Sequence, residues 1–249
     1  MKRKQKNDGE KTTVRLIRFA VVLILAIAVL VGYQMTHRDS EKAVTVIELD
    51  AAHGGDNSGF QGLVSEDEFC EKVTDALQVL LEKDASFQVE RTHEAGTAMN
   101  ADDRLAKIRS DSPDLVLSIR CSWSPDASVR GMHLYENLPD SPYHEKSAAA
   151  ADAIRDVFSE DGTVTPTAGY LYYQPIRSQK YQEVLVDESD TSDHGTETLP
   201  LLSDSSCPTV VSAHLYVSSQ EDADAWNNEA GIQKAAQLYY EALCRVYKQ

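Results

Sequence analysis

The chain has 249 residues, with 24 Lys+Arg against 40 Asp+Glu and a formal net charge of −16. That length fits one α/β domain with an appendage, or two small domains. The basic residues Lys2, Arg3, Lys4, Lys6, Lys11, Arg15 and Arg18 face only Asp8 and Glu10 at the N-terminus, so the rest is more acidic than the total indicates. Such a surface repels nucleic acid and anionic lipid, which excludes nucleic-acid binding.

The first predicted element is an apolar helix. Phe19 to Tyr33 reads FAVVLILAIAVLVGY, and extending it to Met35 reaches the short end of the roughly 17–25 residues that span a bilayer. Residues 1–18 are then a basic cytoplasmic tail, 19–35 a transmembrane signal-anchor and 36–42 a polar linker. The positive side stays in the cytoplasm, so the chain is expected to be single-pass in the cell membrane with its C-terminal domain extracellular. A cleaved signal peptide is the alternative, and Val31-Gly32-Tyr33-Gln34 is a poor cleavage site for one.

Residues 43–249 read as one domain. Ala43–Leu49 is a strand entering a glycine-rich loop. Ser65–Lys83 carries Phe69, Val73, Ala76, Leu77, Leu80 and Leu81 at helical spacing, and Ser65 with Glu68 has the pattern of a capping box. Phe87–Thr92 is a strand, Asn100–Ser110 a short helix, Asp114–Ile119 a buried strand and Gly131–Tyr135 another. Tyr143–Phe158 is an alanine-rich helix and Gly169–Tyr173 an edge strand. Residues 187–197, DESDTSDHGTE, are polar enough to form a mobile acidic loop. Pro208–Val217 is a strand and Glu229–Tyr247 a closing helix. The alternation predicts an α/β fold, a mostly parallel twisted sheet with helices on both faces. Four cysteines, Cys70, Cys121, Cys207 and Cys244, allow three disulfide pairings, but a domain of this size folds without them. Buried or free thiols are the preferred expectation, and without a CxxC pair no thiolate metal site is indicated.

Sites in such sheets collect beyond the carboxyl ends of the strands. His53 follows the first strand there, and Glu66 opens the next helix. A His and a carboxylate so placed can be two of the three ligands that a catalytic zinc needs, although a His beside two glycines is more often a loop residue. The stretch DAAHGGDNSGFQG followed by Glu66 resembles the opening of the zinc-dependent N-acetylmuramoyl-L-alanine amidases, cell-wall hydrolases of the amidase-3 type. VERTH, NADDRLAKI, DLVLSIRCSW, RGMHLYE and CPTVVSAHLYVSSQEDA resemble later family segments in the same order. The resemblance implies zinc held by His53, Glu66 and a histidine at 120, with a glutamate at 213 as general base. This chain instead has Arg120 and Ala213, with Ser122 where asparagine is usual.

Arginine has no lone pair to offer a metal and keeps its charge. Alanine takes no proton. The expected function is a membrane-anchored, peptidoglycan-associated amidase-like domain that does not hydrolyse and acts as a scaffold or regulator of cell-wall enzymes. No cofactor is expected. Arg120 is expected to pair with Glu66 where the ion would sit, with Ser122 and Trp123 lining the cleft. One alternative is an active zinc amidase that cuts the lactyl–L-alanine amide, with His133 as a replacement ligand. The other is an acidic protein-interaction module. His214 is expected to face away from the cleft if Ala213 faces it.

Overall fold

The computed structural model describes residues 44–176, 180–187, 189, 190 and 192–248. The tail, apolar run and linker expected over residues 1–42 lie outside the described residues. Among the described residues no helix is long and apolar enough to cross a membrane.

Among the described residues, seven strands and six helices follow in chain order: β1 (Thr45–Ala51), α1 (Glu66–Glu82), β2 (Phe87–Arg91), α2 (Ala101–Asp111), β3 (Leu115–Ser122), β4 (His133–Glu136), α3 (His144–Asp161), β5 (Thr167–Ile176), β6 (Lys180–Val186), α4 (Pro200–Ser203), β7 (Thr209–Tyr216), α5 (Gln220–Trp226) and α6 (Glu229–Tyr247). The strands form one sheet in the order β2-β1-β3-β7-β4-β5-β6. β2, β1, β3 and β7 run parallel. β4 is antiparallel to β7 and parallel to β5, and β6 closes the sheet antiparallel to β5. The sheet is therefore mixed but mostly parallel, as the alternating pattern predicts.

Four elements depart from the sequence reading. β5 is not an edge strand, because β6 pairs along it from Tyr170↔Val186 to Ile176↔Lys180. β6 escapes a periodicity search because it leads directly into the acidic segment. α4 and α5 are only four and seven residues long, too short for a helical period to register. The capping box is also only half right. Ser65 is the N-cap of α1, but its hydroxyl donates to the Asp67 carboxylate at 2.5 Å rather than capping the helix.

Strand alternation divides the two faces of the sheet. Ile47, Leu49 and Ala51 of β1 and Leu115, Leu117, Ile119 and Cys121 of β3 join one large core with α1, α3 and α6. The intervening residues Glu48, Asp50, Ser118 and Arg120 fall on the opposite face, where α2 and α4 pack. A stripe of polar groups thus enters the interior on this face and leads toward the His53 loop.

Glu48 is the costly member of the stripe. It is fully buried, and neither carboxylate oxygen has a hydrogen-bond partner. Burial, aided by the negative charge of Asp111 and opposed by Lys107, pushes its pKa from 4.5 up to about 7. The folded state therefore keeps a proton that the unfolded state has already lost. Stability should fall as pH rises from about 4.5 to about 7 and level off above, by on the order of 3 kcal/mol. Glu48→Gln should remove that slope in urea unfolding measured at pH 5 and pH 8.

Candidate functional site

The site begins at the end of β1, where the chain turns through two glycines. His53 has a positive φ of 69°, uncommon for a residue with a side chain. The turn is held from below by Arg104 of α2. Its guanidinium donates to Asp50 Oδ1 at 2.5 Å, to the Ala51 carbonyl at 2.8 Å and to the His53 carbonyl at 2.8 Å. Asp50 also accepts from the hydroxyls of Thr92 and Ser118, both at 2.6 Å. A buried cation thus satisfies the carboxylate and fixes the backbone that presents His53. Above the turn, a Cβ on Gly54 would lie 2.4 Å from the Thr97 carbonyl oxygen, so only glycine allows the next loop to approach this closely.

His53 and Glu66 meet as expected. The imidazole Nε2 lies 3.1 Å from Glu66 Oε2, and Nδ1 lies 3.1 Å from Asn57 Oδ1. Glu66 is fully buried. Its Oε2 accepts the Phe60 N–H and its Oε1 the Cys121 N–H, each at 2.8 Å. Burial works against the Glu66 charge, but the hydrogen bonds from His53, Phe60 and Cys121 outweigh it and hold the carboxyl below its ordinary value. The hydrogen bond to Glu66 in turn raises the His53 pKa, against burial and the nearby charge of Arg120. When His53 is protonated, the pair is an imidazolium–carboxylate contact. Gly59 packs against both members, and a Cβ there would lie 2.5 Å from Glu66 Oε2 and from His53 Cδ2.

Arg120 does not do what the sequence suggested. Among the described residues no ion pair joins it to Glu66, whose oxygens are taken by His53 and by two backbone amides. The guanidinium acts on Glu66 through its field alone. Burial opposes its charge, and the negative fields of Glu66 and then Glu183 outweigh that opposition. Arg120 lines a cavity of about 210 Å³ together with Ser122, Trp123, His133 and Tyr216. On its other side it borders a second cavity of about 310 Å³, which His53 also lines.

The strand register places the remaining candidates. Arg120 of β3 is level with Ala213 of β7, and Ala213 is level with His133 of β4. Paired residues point to the same face, so the three form a row across the cleft floor. His133 nevertheless stays apart from the His53–Glu66 contact. Its Nδ1 lies 2.6 Å from the Thr167 hydroxyl and its Nε2 lies 2.9 Å from the Tyr216 hydroxyl. Burial lowers its pKa. Among the described residues, His53, Glu66 and His133 do not come together as a three-ligand group. His214 points away from the cleft, as expected. It is fully buried against Trp226, Phe69 and Tyr239, with its pKa pushed down to about 3.

Sequence reasoning missed Cys70 and Cys121 as neighbours of Glu66. The three donor atoms lie within 4.8 Å of one another. Two signals were available. Cys70 sits four residues after Glu66, on the same helix face. Cys121 follows Arg120 and so takes the opposite face of β3.

Two expected outcomes follow from this geometry. Arg104→Met strips Asp50 of its buried cation and should cost about 3–5 kcal/mol in urea unfolding. By NMR, the His53 imidazole should titrate above 6.5, its ordinary value, and Glu66→Gln should bring it down. The stability contributed by the raised His53 pKa is complete below the unfolded value and is lost as pH rises through the folded one.

Residues 47–245 match the family model Amidase_3, described as N-acetylmuramoyl-L-alanine amidase. Solved structures share the fold. An N-acetylmuramoyl-L-alanine amidase from Clostridium difficile 630 is 14% identical with a TM-score of 0.66, over 83% of this chain and 98% of that one. AmiC2 of Nostoc punctiforme is 15% identical with a TM-score of 0.65, over 84% and 99%. The CwlD amidase from Clostridioides difficile, solved in complex with the GerS lipoprotein, is 16% identical with a TM-score of 0.60, over 82% and 98%. No curated protein matches the chain. With the family model covering most of its length, the chain belongs to the Amidase_3 family of N-acetylmuramoyl-L-alanine amidases.

Proposed function

We propose that this chain is a non-hydrolytic member of its family, a membrane-anchored domain that meets peptidoglycan or cell-wall enzymes outside the cell. The observation that carries this reading is the row Arg120–Ala213–His133 beside the His53–Glu66 pair. The resemblance puts a metal-ligating histidine where Arg120 stands, and a guanidinium repels a divalent ion. It puts a proton acceptor where Ala213 stands, and a methyl group accepts nothing. Zinc does not fit this set. His53 and Glu66 spend their facing atoms on each other, and Gly59 closes over both. Neither an activated water nor a general base is then available, and each contributes heavily to such hydrolysis.

The anchor over residues 19–35 and the outward orientation belong to the same reading, on the strength of the basic tail that precedes the apolar run. A protein partner is supported by analogy, since one relative of the same fold was captured with a lipoprotein. The exposed Trp123 at the mouth of the cleft offers a flat surface to a sugar or a peptide.

The purified full-length chain should carry well under one zinc per molecule and release no stem peptide from peptidoglycan, while sedimenting with insoluble peptidoglycan. One tightly held zinc with turnover, lost in both His53→Ala and His133→Ala, would establish the active-amidase alternative. Failure to sediment, together with salt-sensitive capture of a basic protein, would favour the interaction module. Arg120→His combined with Ala213→Glu should gain zinc binding, measured by metal analysis.

A further inference from the structure

Cys70 and Cys121 have no part in the function proposed above, yet they stand at its centre. Cys70 lies one helical turn beyond Glu66, and Cys121 supplies the N–H that Glu66 Oε1 accepts. The two side chains are 0% and 1% exposed. Their sulfurs lie within 4.8 Å of each other. The other two cysteines are elsewhere. Cys207 packs with Ile108 and Val116 under the opposite face of the sheet. Cys244 lies at the margin of the main core, beside Tyr240. Among the four cysteines, the fold brings together the pair Cys70 and Cys121.

We propose that Cys70 and Cys121, both free thiols here, form a disulfide that fastens α1 to β3 in the oxidised protein. The same donors, with Glu66, would also suit a thiophilic metal ion. Two observations favour the covalent bond. The sulfurs belong to the hydrophobic core, among Phe69, Ala51 and Ile119. An uncharged disulfide fits there without desolvation, whereas a cation with two thiolates does not. Glu66 also already accepts from His53, Phe60 and Cys121, so it has little left for a metal.

The oxidant is a disulfide, either a small molecule or a thiol–disulfide oxidoreductase. The thiolate of one cysteine attacks a sulfur of the oxidant and expels its first thiol. The second cysteine then attacks the mixed disulfide, the Cys70–Cys121 bond forms, and the second thiol leaves. Two protein thiols and one oxidant disulfide become one protein disulfide and two oxidant thiols. Burial of both sulfurs assigns the exchange to the folding chain. The product closes a loop of about 50 residues, a length at which cross-links are strongly stabilising. It would hold the start of α1, and with it Glu66, against β3 without any ion. Formation in the cell rests on the outward orientation proposed above, which supplies an oxidising compartment. Formation in the purified protein does not.

The test uses the full-length chain, refolded with oxidised and reduced glutathione, then alkylated under denaturing conditions and digested without reductant. The expected peptide map links Cys70 to Cys121 and shows Cys207 and Cys244 alkylated. Reduction should lower Tm by roughly 5–15 °C. In the Cys70→Ala/Cys121→Ala variant, reductant should leave Tm unchanged. Four alkylated cysteines after oxidation would overturn the proposal, as would a cross-link to Cys207 or Cys244. So would thiols that become reactive on chelation rather than on reduction. The map of the unaltered chain decides even if the double variant does not fold. A zinc ion at His53 with turnover, alongside an intact cross-link, would overturn only the non-hydrolytic reading.

Discussion

Glu66 has no contact with solvent, and the arrangement around it supplies what keeps it ionised there. A lone carboxylate in such a place would take up a proton. Here the Phe60 and Cys121 amides and the His53 imidazole donate to it from three directions. Two of the donors, His53 and Phe60, belong to the loop after β1, and the third, Cys121, belongs to β3. One charge at the start of α1 therefore ties together the pieces that make the cleft. Its three hydrogen bonds come from the protein itself.

The support beneath is a second buried charge of the same kind. Asp50 and Arg104 form an ion pair in which each partner's remaining capacity is used, by two hydroxyls on one side and by backbone carbonyls on the other. A buried pair with unsatisfied atoms would be a liability. This one has a purpose that an apolar pair could not serve. Arg104 bonds the carbonyls of Ala51 and His53, and that contact holds His53 at a φ it would otherwise avoid. Glu48, two residues before Asp50 on the same face, shows the contrast. It has the burial without the partners.

Much of this was legible in the sequence, and the misses have physical causes. The long elements were found because their apolar spacing is set by one buried face each. The inward stripe of Glu48 and Asp50 was not, since β1 reads as a strand whichever face its acids take. His53 and Glu66 were placed together correctly from their positions at adjacent strand and helix ends. The Arg120–Glu66 pair failed because opposite charge was counted and backbone amides were not. Sequence shows side chains that could partner a carboxylate, but the Phe60 and Cys121 N–H groups carry no residue-specific mark. The row across β3, β7 and β4 was half visible. His133 was placed as a possible cleft residue, but its pairing with Ala213 was not foreseen, and the hydroxyls of Thr167 and Tyr216 that occupy its nitrogens come from distant segments.

Alternation along β3 assigns two consecutive residues to two different jobs. Arg120 faces the cleft, where its charge stands in the fields of Glu66 and Glu183. Cys121 faces the core, where its sulfur meets Cys70. A change at 120 alters what the cleft can bind while leaving the packing of α1 in place. A change at 121 acts on the core side but reaches the cleft as well, through the amide it gives to Glu66. The two faces are coupled at that one peptide. A central strand built this way can change what one face binds while its other face keeps α1 packed, because Glu66 is held by the Phe60 and Cys121 amides as well as by His53.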